Sequence, residues 1–225
     1  MPEGHTVHRL AARHRALFAG RRVAVTSPQG RFAAGAALLS GRVLRDTDAS
    51  RRHWLDLRGP AACEVLDAAE VDALVARLGP DPLRADADPG RAYARIRRSD
   101  KPLAALLLDQ SVVAGPGVIY VTEVLFRAGL PPTTPGRELT PEAWQGIWTD
   151  LVELMREGVE RGRIDTVHSR HTPEAMGRPP RVDRHGGEVY VYRRAGQSCL
   201  VCGDGVRTGV LAGRNSYWCA TCQRK

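Results

Sequence analysis

The first three residues combine a potential nucleophile with a potential proton donor. Removal of the initiator Met1, which is usual before a small residue, leaves Pro2 with a free secondary amine and Glu3 beside it. An α-amino group has a pKa of about 8, so a useful fraction is unprotonated at neutral pH. Such an amine can attack C1′ of a sugar and form an iminium, and the adjacent carboxyl can move a proton during that attack. Because many chains begin Met-Pro without chemical purpose, the pair taken alone favours an ordinary N-terminus over a catalytic one.

Four of the five cysteines form two pairs near the C-terminus. Two residues separate Cys199 from Cys202 and likewise Cys219 from Cys222, with sixteen residues between the pairs. This spacing is typical of zinc ribbons, in which each pair supplies two thiolates to one tetrahedral ion. Four thiolates leave no open coordination position, so we predict one structural Zn²⁺. Two disulfides are the competing prediction, which the lack of a secretory signal disfavours because cytosolic thiols stay reduced.

The charge of the chain favours a polyanionic partner. Its 33 basic and 25 acidic residues give a net charge of +8 and a pI of about 9.8, which suits nucleic acid or an anionic membrane surface. Only Lys101 and Lys225 are lysines, and the planar arginine fork binds two phosphate oxygens at once. Codon preference in a GC-rich genome also produces arginine, but it does not explain the net positive sign. Because no membrane-spanning run or signal-peptide pattern is found, we expect a cytoplasmic, nucleoid-associated protein without membrane contact.

Residues 4–18 form the helix that would carry the Pro2-Glu3 pair, since their apolar side chains recur at a three-to-four spacing. Gly20 ends this helix. Short strands are predicted next at 23–25, 41–44 and 53–57, with Gly and Pro between them. A helix over 69–78 then leads into a predicted hinge at 79–82.

Beyond the hinge the pattern becomes helical. Helices are predicted at 102–108 (capped by Ser99 or Asp100), at 118–127 and from Thr140 to about Val159. The last of these has an apolar stripe from Trp144 to Met155, which we assign to the core rather than to base stacking. Residues 162–187 predict an exposed loop and 189–192 a strand.

Two further features suit a phosphate. The two-turn segment at Gly115–Gly117 opens the helix at 118, and a helix N-terminus offers free amides to an anion. Between the cysteine pairs, residues 213–218 predict a hairpin tip that carries Arg214. Arg214 either contacts a DNA phosphate or is a solvated charge, and the residues alone favour neither.

Taken together, these motifs resemble those of one family. In chain order they are Met1-Pro2-Glu3-Gly4-His5-Thr6-Val7-His8-Arg9, Leu107-Leu108-Asp109-Gln110, Ala114-Gly115-x-Gly117-x-x-Tyr120-x-x-Glu123, Tyr190-Val191-Tyr192-Arg193-Arg194-Ala195-Gly196 and the four-cysteine finger with Arg214. Over nearly its whole length the chain resembles the bacterial formamidopyrimidine-DNA glycosylase / endonuclease VIII family, and most of all its actinobacterial endonuclease VIII-like members. The ordered combination is far more specific than any single motif.

The resemblance implies an α+β fold in three parts. A truncated N-terminal β-sandwich with a catalytic N-terminal helix (1–82) precedes a helix–two-turn–helix domain (83–195) and a zinc-ribbon finger (196–225). It further implies a monomer that removes an oxidised base from double-stranded DNA and then cleaves the strand at the abasic site. Pro2 would be the Schiff-base nucleophile and Glu3 the proton donor to the sugar, while Arg214 would hold the phosphate near the lesion and assist elimination.

Three departures from the family pattern bear on these expectations. Where the family has a lysine on a β-hairpin, the nearest residue is Arg52, which can hold a phosphate but is a poor proton donor. Arg52 and His53 run almost directly into residues 56–60, which shortens the N-terminal domain. Val118 stands where the family has a phosphate-binding Asn, leaving Gly117 as the DNA contact there. The alternative function is therefore a catalytically impaired zinc-finger DNA-binding relative.

Overall fold

The computed structural model of the protein describes residues 3–27, 30, 32–45, 66–183 and 187–224. Its contacts divide the chain into two units. In the first unit, the described residues up to Thr6 join those from Leu78 onward, and the second unit runs from Val7 to Arg77. The three predicted domains, 1–82, 83–195 and 196–225, stay a prediction. None of the described helices has both the length and the apolar character needed to cross a bilayer.

Helix α1 (Gly4–Phe18) begins in the first unit and continues into the second, which also holds α2 (Ala33–Leu39) and α3 (Ala68–Ala76). The predicted bounds of α1 are confirmed. Helix α3 begins at a capping box, in which the Asp67 and Glu70 side chains each accept the other residue's backbone N–H. Helix α2 is missing from the sequence-based prediction because its short alanine and leucine run has no capping side chain.

The strands predicted for the second unit are shorter than expected. In the described residues, segments 23–25 and 41–44 give only an isolated bridge between Arg22 and Val43. Backbone hydrogen bonds from Gly20 N to Leu44 O (2.7 Å) and from Val23 N to Arg42 O (2.9 Å) hold this pairing. The third predicted strand, at 53–57, lies outside the described residues.

The first unit is mainly helical, and α6 lies in its centre. Its helices are α4 (Pro89–Ile96), α5 (Leu103–Leu108), α6 (Val118–Arg127), α7 (Pro141–Arg161) and α8 (Pro173–Met176). Helix α6 is buried continuously from Ile119 to Phe126 and contacts α5 and α7. The core includes Ile96, Leu103, Leu107, Tyr120, Val124, Leu125, Leu139, Ile147, Leu151 and Met155.

Helix α7 follows its sequence-based prediction closely. Thr140 caps it through a hydrogen bond from Ala143 N to the threonine Oγ1 (3.2 Å), Pro141 occupies its first turn, and Gly162 ends it with a φ of 70°. Its predicted apolar stripe is buried, which confirms the assignment to the core: Trp144, Ile147, Trp148, Leu151, Leu154 and Met155.

The predicted caps of α5 are wrong. This helix begins after Pro102 without a capping side chain. Its first amides instead reach backbone carbonyls of the loop before α7, with Leu103 N donating to Thr134 O at 2.7 Å and Ala104 N to Pro132 O at 3.2 Å. A tertiary contact therefore replaces the local cap.

The segment after α7 differs from its prediction in two ways. Residues 162–183 include a 3₁₀ turn at Ser169–His171 and helix α8, with Ile164, Thr166 and Pro173 buried, so they are more than an exposed loop. Residues 189–192 are buried but form no strand. The only sheet in the described residues is the antiparallel pair β1 (Arg207–Leu211) and β2 (Arg214–Trp218).

Candidate functional site

The Glu3 carboxylate caps the N-terminus of helix α6. Its Oε2 accepts a hydrogen bond from Gly117 N at 2.6 Å, and its Oε1 accepts one from Ile119 N at 2.9 Å. Gly117 is the N-cap residue of α6 and offers no side-chain cap of its own. The first amides of a helix have no partner within the helix, so the glutamate from the start of the chain supplies what the local sequence lacks.

Two glycines allow this close approach. A Cβ on Gly117 would lie 2.5 Å from the Glu3 carboxyl carbon, and a Cβ on Gly4 would lie 2.8 Å from the Cα of Gly115. The Gly4 N–H also donates to Gly115 O at 2.8 Å. The beginning of α1 therefore contacts the two-turn segment backbone to backbone, and neither position has room for a side chain.

Gln110 holds the two-turn segment in shape. Its Oε1 accepts a hydrogen bond from Gly115 N at 2.8 Å, while its Nε2 donates to Pro116 O at 3.1 Å. One side chain thus fixes the peptide group before Gly115 and the peptide group before Gly117. Because Gly117 N is bonded to Glu3, Gln110 also fixes the direction of the Glu3 carboxylate indirectly.

Burial governs the protonation of Glu3. Desolvation raises the pKa of its carboxyl from the ordinary 4.5 to about 7, although the amides of Ile119 and Gly117 favour the charged form and lower it. Near neutral pH the buried group is therefore present in both protonation states. A carboxyl in that condition can donate or accept a proton.

The structure describes some of the other residues predicted for this part of the site but not all of them. Pro2 and Arg52 lie outside the described residues. The amides at the start of α6 were expected to face a phosphate, but two of them, those of Gly117 and Ile119, already donate to Glu3. Val118, where the family has Asn, is half-buried.

A second buried carboxylate, Glu123, lies in the middle of α6. Its oxygens accept hydrogen bonds from the backbone N–H of Tyr190 (2.6 Å), Val191 (2.9 Å) and Tyr192 (2.8 Å) and from Thr166 Oγ1 (2.6 Å). These bonds explain why 189–192 forms no strand, since the carboxylate satisfies the amides that a sheet would use. The sequence-based prediction gives Glu123 no role, although an acidic residue inside an otherwise apolar stretch is itself a signal.

The segment held by Glu123 packs against the hairpin that carries Arg214. The Tyr192 and Tyr217 rings meet edge to face, with centroids 5.5 Å apart, and β2 also contacts α6. The hairpin turns at Ala212 and Gly213, whose φ values are 48° and 74°, and residues 214–218 form strand β2, so the hairpin is present but its predicted tip at 213–218 is wrong. Arg214 is the first residue of β2 and is exposed, and its side chain makes no hydrogen bond or ion pair within the described part of the chain.

The four predicted metal ligands converge on one point. All four sulfur atoms lie within 4.8 Å of one another, with Cys199 Sγ 3.8 Å from Cys222 Sγ and Cys202 Sγ 3.5 Å from Cys219 Sγ. A tetrahedral ion with metal–sulfur bonds of about 2.3 Å requires sulfur–sulfur distances of about 3.8 Å. These spacings fit a four-thiolate metal site. The four thiols are free, so the competing prediction of two disulfides is not realised in the structure.

Local hydrogen bonds shape the cysteine finger and attach it to the helical body. Gly203 N donates to Cys199 O at 2.9 Å, and the positive φ of Gly203 (79°) closes this turn. Gln223 accepts from Cys219 N at 2.9 Å through Oε1 and donates to Leu130 O at 2.8 Å through Nε2. A glutamine beside the last cysteine therefore joins the finger to the loop after α6.

Comparison with protein families and named proteins gives one consistent match. Residues 78–169 match the formamidopyrimidine-DNA glycosylase H2TH domain, where H2TH denotes helix–two-turn–helix. The chain is 42% identical over 274 aligned positions to Endonuclease 8 1 of Mycobacterium tuberculosis, covering 99% of this chain and all of that protein. It is 36% identical over 149 positions to formamidopyrimidine-DNA glycosylase of Parasynechococcus marenigrum, covering 66% of this chain and 51% of that protein.

Solved structures give the same fold. The crystal structure of the MutM (Fpg) protein of Thermus thermophilus is similar with a TM-score of 0.71 and 28% identity, over 99% of this chain and 98% of that one. A complex of Lactococcus lactis Fpg with DNA containing an abasic site has a TM-score of 0.73 over both full chains, and its 20% identity supports likeness of fold alone. From the sequence match over its whole length and this shared fold with its H2TH domain, we conclude that the chain belongs to the formamidopyrimidine-DNA glycosylase / endonuclease VIII family.

Proposed function

We propose that this protein is a DNA glycosylase that removes oxidised bases and cleaves the strand at the resulting abasic site through a Schiff base on Pro2. The observation that carries the proposal is the buried Glu3 carboxyl, which α6 holds in a fixed direction next in sequence to Pro2. The relatives support it, since they include proteins named Endonuclease 8 1 and formamidopyrimidine-DNA glycosylase.

Pro2 supplies the electron pair in the proposed reaction. The unprotonated amine attacks C1′ of the damaged nucleotide, the bond from C1′ to the base breaks, and the base leaves with the electron pair of that bond. Loss of the amine proton and opening of the sugar ring convert the adduct into an iminium. The positive charge of the iminium then labilises a proton at C2′, which leads to elimination of the 3′ phosphate.

Glu3 donates the proton that ring opening needs. The sugar ring oxygen becomes an alcohol in this step, so it must receive a proton from a nearby acid. The carboxyl suits that role because burial raises its pKa to about 7, which keeps a large fraction protonated at neutral pH. The amides of Gly117 and Ile119 orient the group, and the same bonds stabilise the carboxylate that remains after transfer.

Arginines bind the DNA backbone in this proposal. Arg214 stands beside the exposed turn of the β1–β2 hairpin and holds the phosphate near the lesion, where charge-assisted bonds also stabilise the departing phosphate. Arg52 holds a second phosphate in place of the family lysine, and the backbone around Gly117 faces the strand. The partner is double-stranded DNA with a damaged base or an abasic site, the protein acts as a monomer, and it is located at the nucleoid.

The metal in this proposal is one structural Zn²⁺. Cys199, Cys202, Cys219 and Cys222 fill its coordination sphere, so it stabilises the finger and takes no part in the reaction. The Arg214 hairpin lies between the two cysteine pairs. Metal binding therefore fixes the base of the hairpin that presents Arg214.

A truncated N-terminal β-sandwich is part of the same proposal. The alignment with Endonuclease 8 1 runs over 274 positions and covers 99% of this chain, which has 225 residues. The relative therefore has residues with no counterpart here. A shortened domain in front of a complete helix–two-turn–helix domain and finger accounts for that difference.

The alternative function is a zinc-finger DNA-binding protein with impaired catalysis. Three departures favour it: Arg52 in place of a lysine, Val118 in place of Asn, and the shortened N-terminal domain. The capped and buried Glu3 favours the enzyme instead, because a group used only for binding DNA has no need of a raised pKa.

Borohydride trapping on a duplex with an abasic site tests the proposal. Reduction of the iminium gives a stable covalent adduct, which the protein with Met1 removed should form. Pro2→Gly should abolish the adduct, and Glu3→Gln should reduce it strongly. Glu153→Gln, at an exposed position on α7, is the matched control and should trap as the unaltered protein does. Metal-loaded protein that binds the duplex but gives no adduct would instead establish the alternative function.

A further inference from the structure

A four-residue turn, His168-Ser169-Arg170-His171, follows α7 and is fixed by contacts with the Tyr190 hydroxyl group. The His168 N–H donates to Tyr190 Oη at 2.9 Å, and His171 Nδ1 lies 2.8 Å from the same oxygen. Tyr190 is itself buried and stacks on Phe126 of α6, with ring centroids 4.6 Å apart. Both histidines are therefore anchored to the helical core through one hydroxyl group.

Arginines brace the two ends of this turn. Arg127 Nη1 donates to Thr166 O at 2.7 Å just before the turn and lies 3.4 Å from His168 Nδ1. Arg178 Nη2 donates to His171 O at 3.1 Å. A turn fixed at both ends presents its outward side chains without the entropy cost of ordering a loop.

The arginines around the turn differ in their partners. Arg163 pairs with Asp165 at 2.6 Å and Arg178 with Glu188 at 2.6 Å, while Arg161 also lies near Asp165 at 3.7 Å. Arg170 is exposed and makes neither an ion pair nor a hydrogen bond with any part of the chain that the structure describes. Its charge is therefore available to an external anion.

The two histidines contribute hydrogen bonds rather than charge. Burial lowers the pKa of His168 below its ordinary value, and the charges of Arg127 and Arg170 lower it further. Burial and then Arg170 lower the pKa of His171 in the same way. Because both pKa values lie below the ordinary 6.5, the two rings are mainly neutral at pH 7. The turn then presents one cation, Arg170, beside the exposed His168 ring and Ser169 hydroxyl.

We propose that this turn binds a backbone phosphate of the DNA, with Arg170 as the charged contact and His168 and Ser169 as neutral hydrogen-bond partners. The contact is separate from Arg214 and is a second anchor for the duplex. The net charge of +8 favours a polyanion over a neutral partner. This inference rests on the proposed function, because it assigns a further contact to the same DNA substrate.

The salt dependence of binding identifies a phosphate contact. Fluorescence anisotropy would measure affinity for a labelled duplex with a tetrahydrofuran abasic analogue, which forms no Schiff base, between about 50 and 200 mM KCl. The slope of log affinity against log salt is negative, and loss of one charged contact lowers its magnitude by about 0.9. For Arg170→Gln we expect that decrease, with affinity about 8-fold weaker at 0.1 M salt.

Two further variants, His168→Gln and Arg163→Gln, serve as controls. His168→Gln should weaken binding about 5-fold with an unchanged slope, because it removes a hydrogen bond and no charge. Arg163→Gln removes an arginine of the same segment that is already paired, and it should leave both affinity and slope as they were. An Arg170→Gln slope equal to that of Arg163→Gln overturns the inference.

Trapping on the natural abasic site separates this inference from the proposed function. If the unaltered protein gives a covalent adduct but Arg170→Gln keeps the full slope, the proposed function stands and the second anchor does not. If no adduct forms but Arg170→Gln lowers the slope, the anchor stands and the catalytic proposal fails. Binding of the undamaged duplex should show the same slope change, since a phosphate contact is independent of the lesion.

Discussion

Replacing Glu123 by Gln should destabilise the first unit, because it puts an amide where the structure needs an acceptor. Oε1 accepts the N–H of Val191 and Tyr192, and Oε2 accepts the N–H of Tyr190 and the Thr166 hydroxyl. The NH₂ group of glutamine would face two of these donors whichever way it turned. At the Oε1 position both hydrogen bonds would be lost. At the Oε2 position the Thr166 hydroxyl can rotate and accept from the NH₂ group, but the buried Tyr190 N–H would have no partner, and the bonds from Val191 and Tyr192 would be made to a neutral oxygen instead of a charged one.

The expected cost follows from the more favourable orientation of the amide. A hydrogen bond to a charged group contributes about 1.5–3 kcal/mol and one to a neutral group about 1 kcal/mol, so one lost bond and two weakened bonds give about 4 kcal/mol. That is a large share of a total stability of about 5–15 kcal/mol. With a fall of about 3 °C for each kcal/mol in a chain of this size, Tm should drop by about 12 °C.

Calorimetry and amide hydrogen exchange would measure this effect. Exchange of the Tyr190, Val191 and Tyr192 amides should accelerate well before global unfolding, because their acceptor is altered. Thr166→Val removes one donor and leaves the carboxylate intact, so it should cost only about 1–2 kcal/mol. A Tm for Glu123→Gln within about 2 °C of the unaltered protein, with the three amides still protected, would refute the reasoning.

Three further predictions concern Glu3 and the finger. Gly117→Ala should prevent the Glu3 cap and reduce trapping at least tenfold, because its Cβ would lie 2.5 Å from the carboxyl carbon. Gly146→Ala is the control, since a Cβ there has no neighbour within 4 Å, and it should leave trapping unchanged. Because folding raises the pKa of Glu3 from 4.5 to about 7, the folded protein binds more protons than the unfolded chain in that interval. The contribution of this group to the free energy of unfolding should be greatest below pH 4.5 and should fall by about 3 kcal/mol as pH rises through 7. Urea titrations at several pH values would measure it, and Glu3→Gln should remove this pH dependence. Cys219→Ala should release the metal and weaken DNA binding, whereas unchanged metal content by mass spectrometry and unchanged affinity would contradict the structural-zinc proposal.

Local patterns predicted several elements correctly because those elements carry their own determinants. Helices α1, α6 and α7 follow apolar periodicity, and α7 adds a Thr140 cap and a terminal Gly162. The cysteine cluster follows from spacing alone, since a metal ligand pair is a local motif. Caps and ligand pairs act over a few residues, so a single sequence displays them.

Long-range contacts account for what the sequence did not predict. Residues 189–192 alternate like a strand, but their amides bind Glu123, which lies 67 positions before Tyr190 in sequence. The start of α6 suggested free amides for a phosphate, but Glu3, 114 positions before Gly117, already binds two of them. No local pattern identifies a partner at such distances, because the partner depends on how the chain folds back on itself.

The cap on α6 also constrains the order in which the protein matures on the ribosome. Glu3 leaves the ribosome before the two amides that bind it, because these are made 114 and 116 positions later. The N-terminal segment therefore cannot reach its final environment when it leaves the exit tunnel, although domains generally fold from the N-terminus during synthesis. A nascent chain stalled before α6 would therefore carry Glu3 without the two amides that bind it, and its carboxyl would keep the ordinary pKa of 4.5.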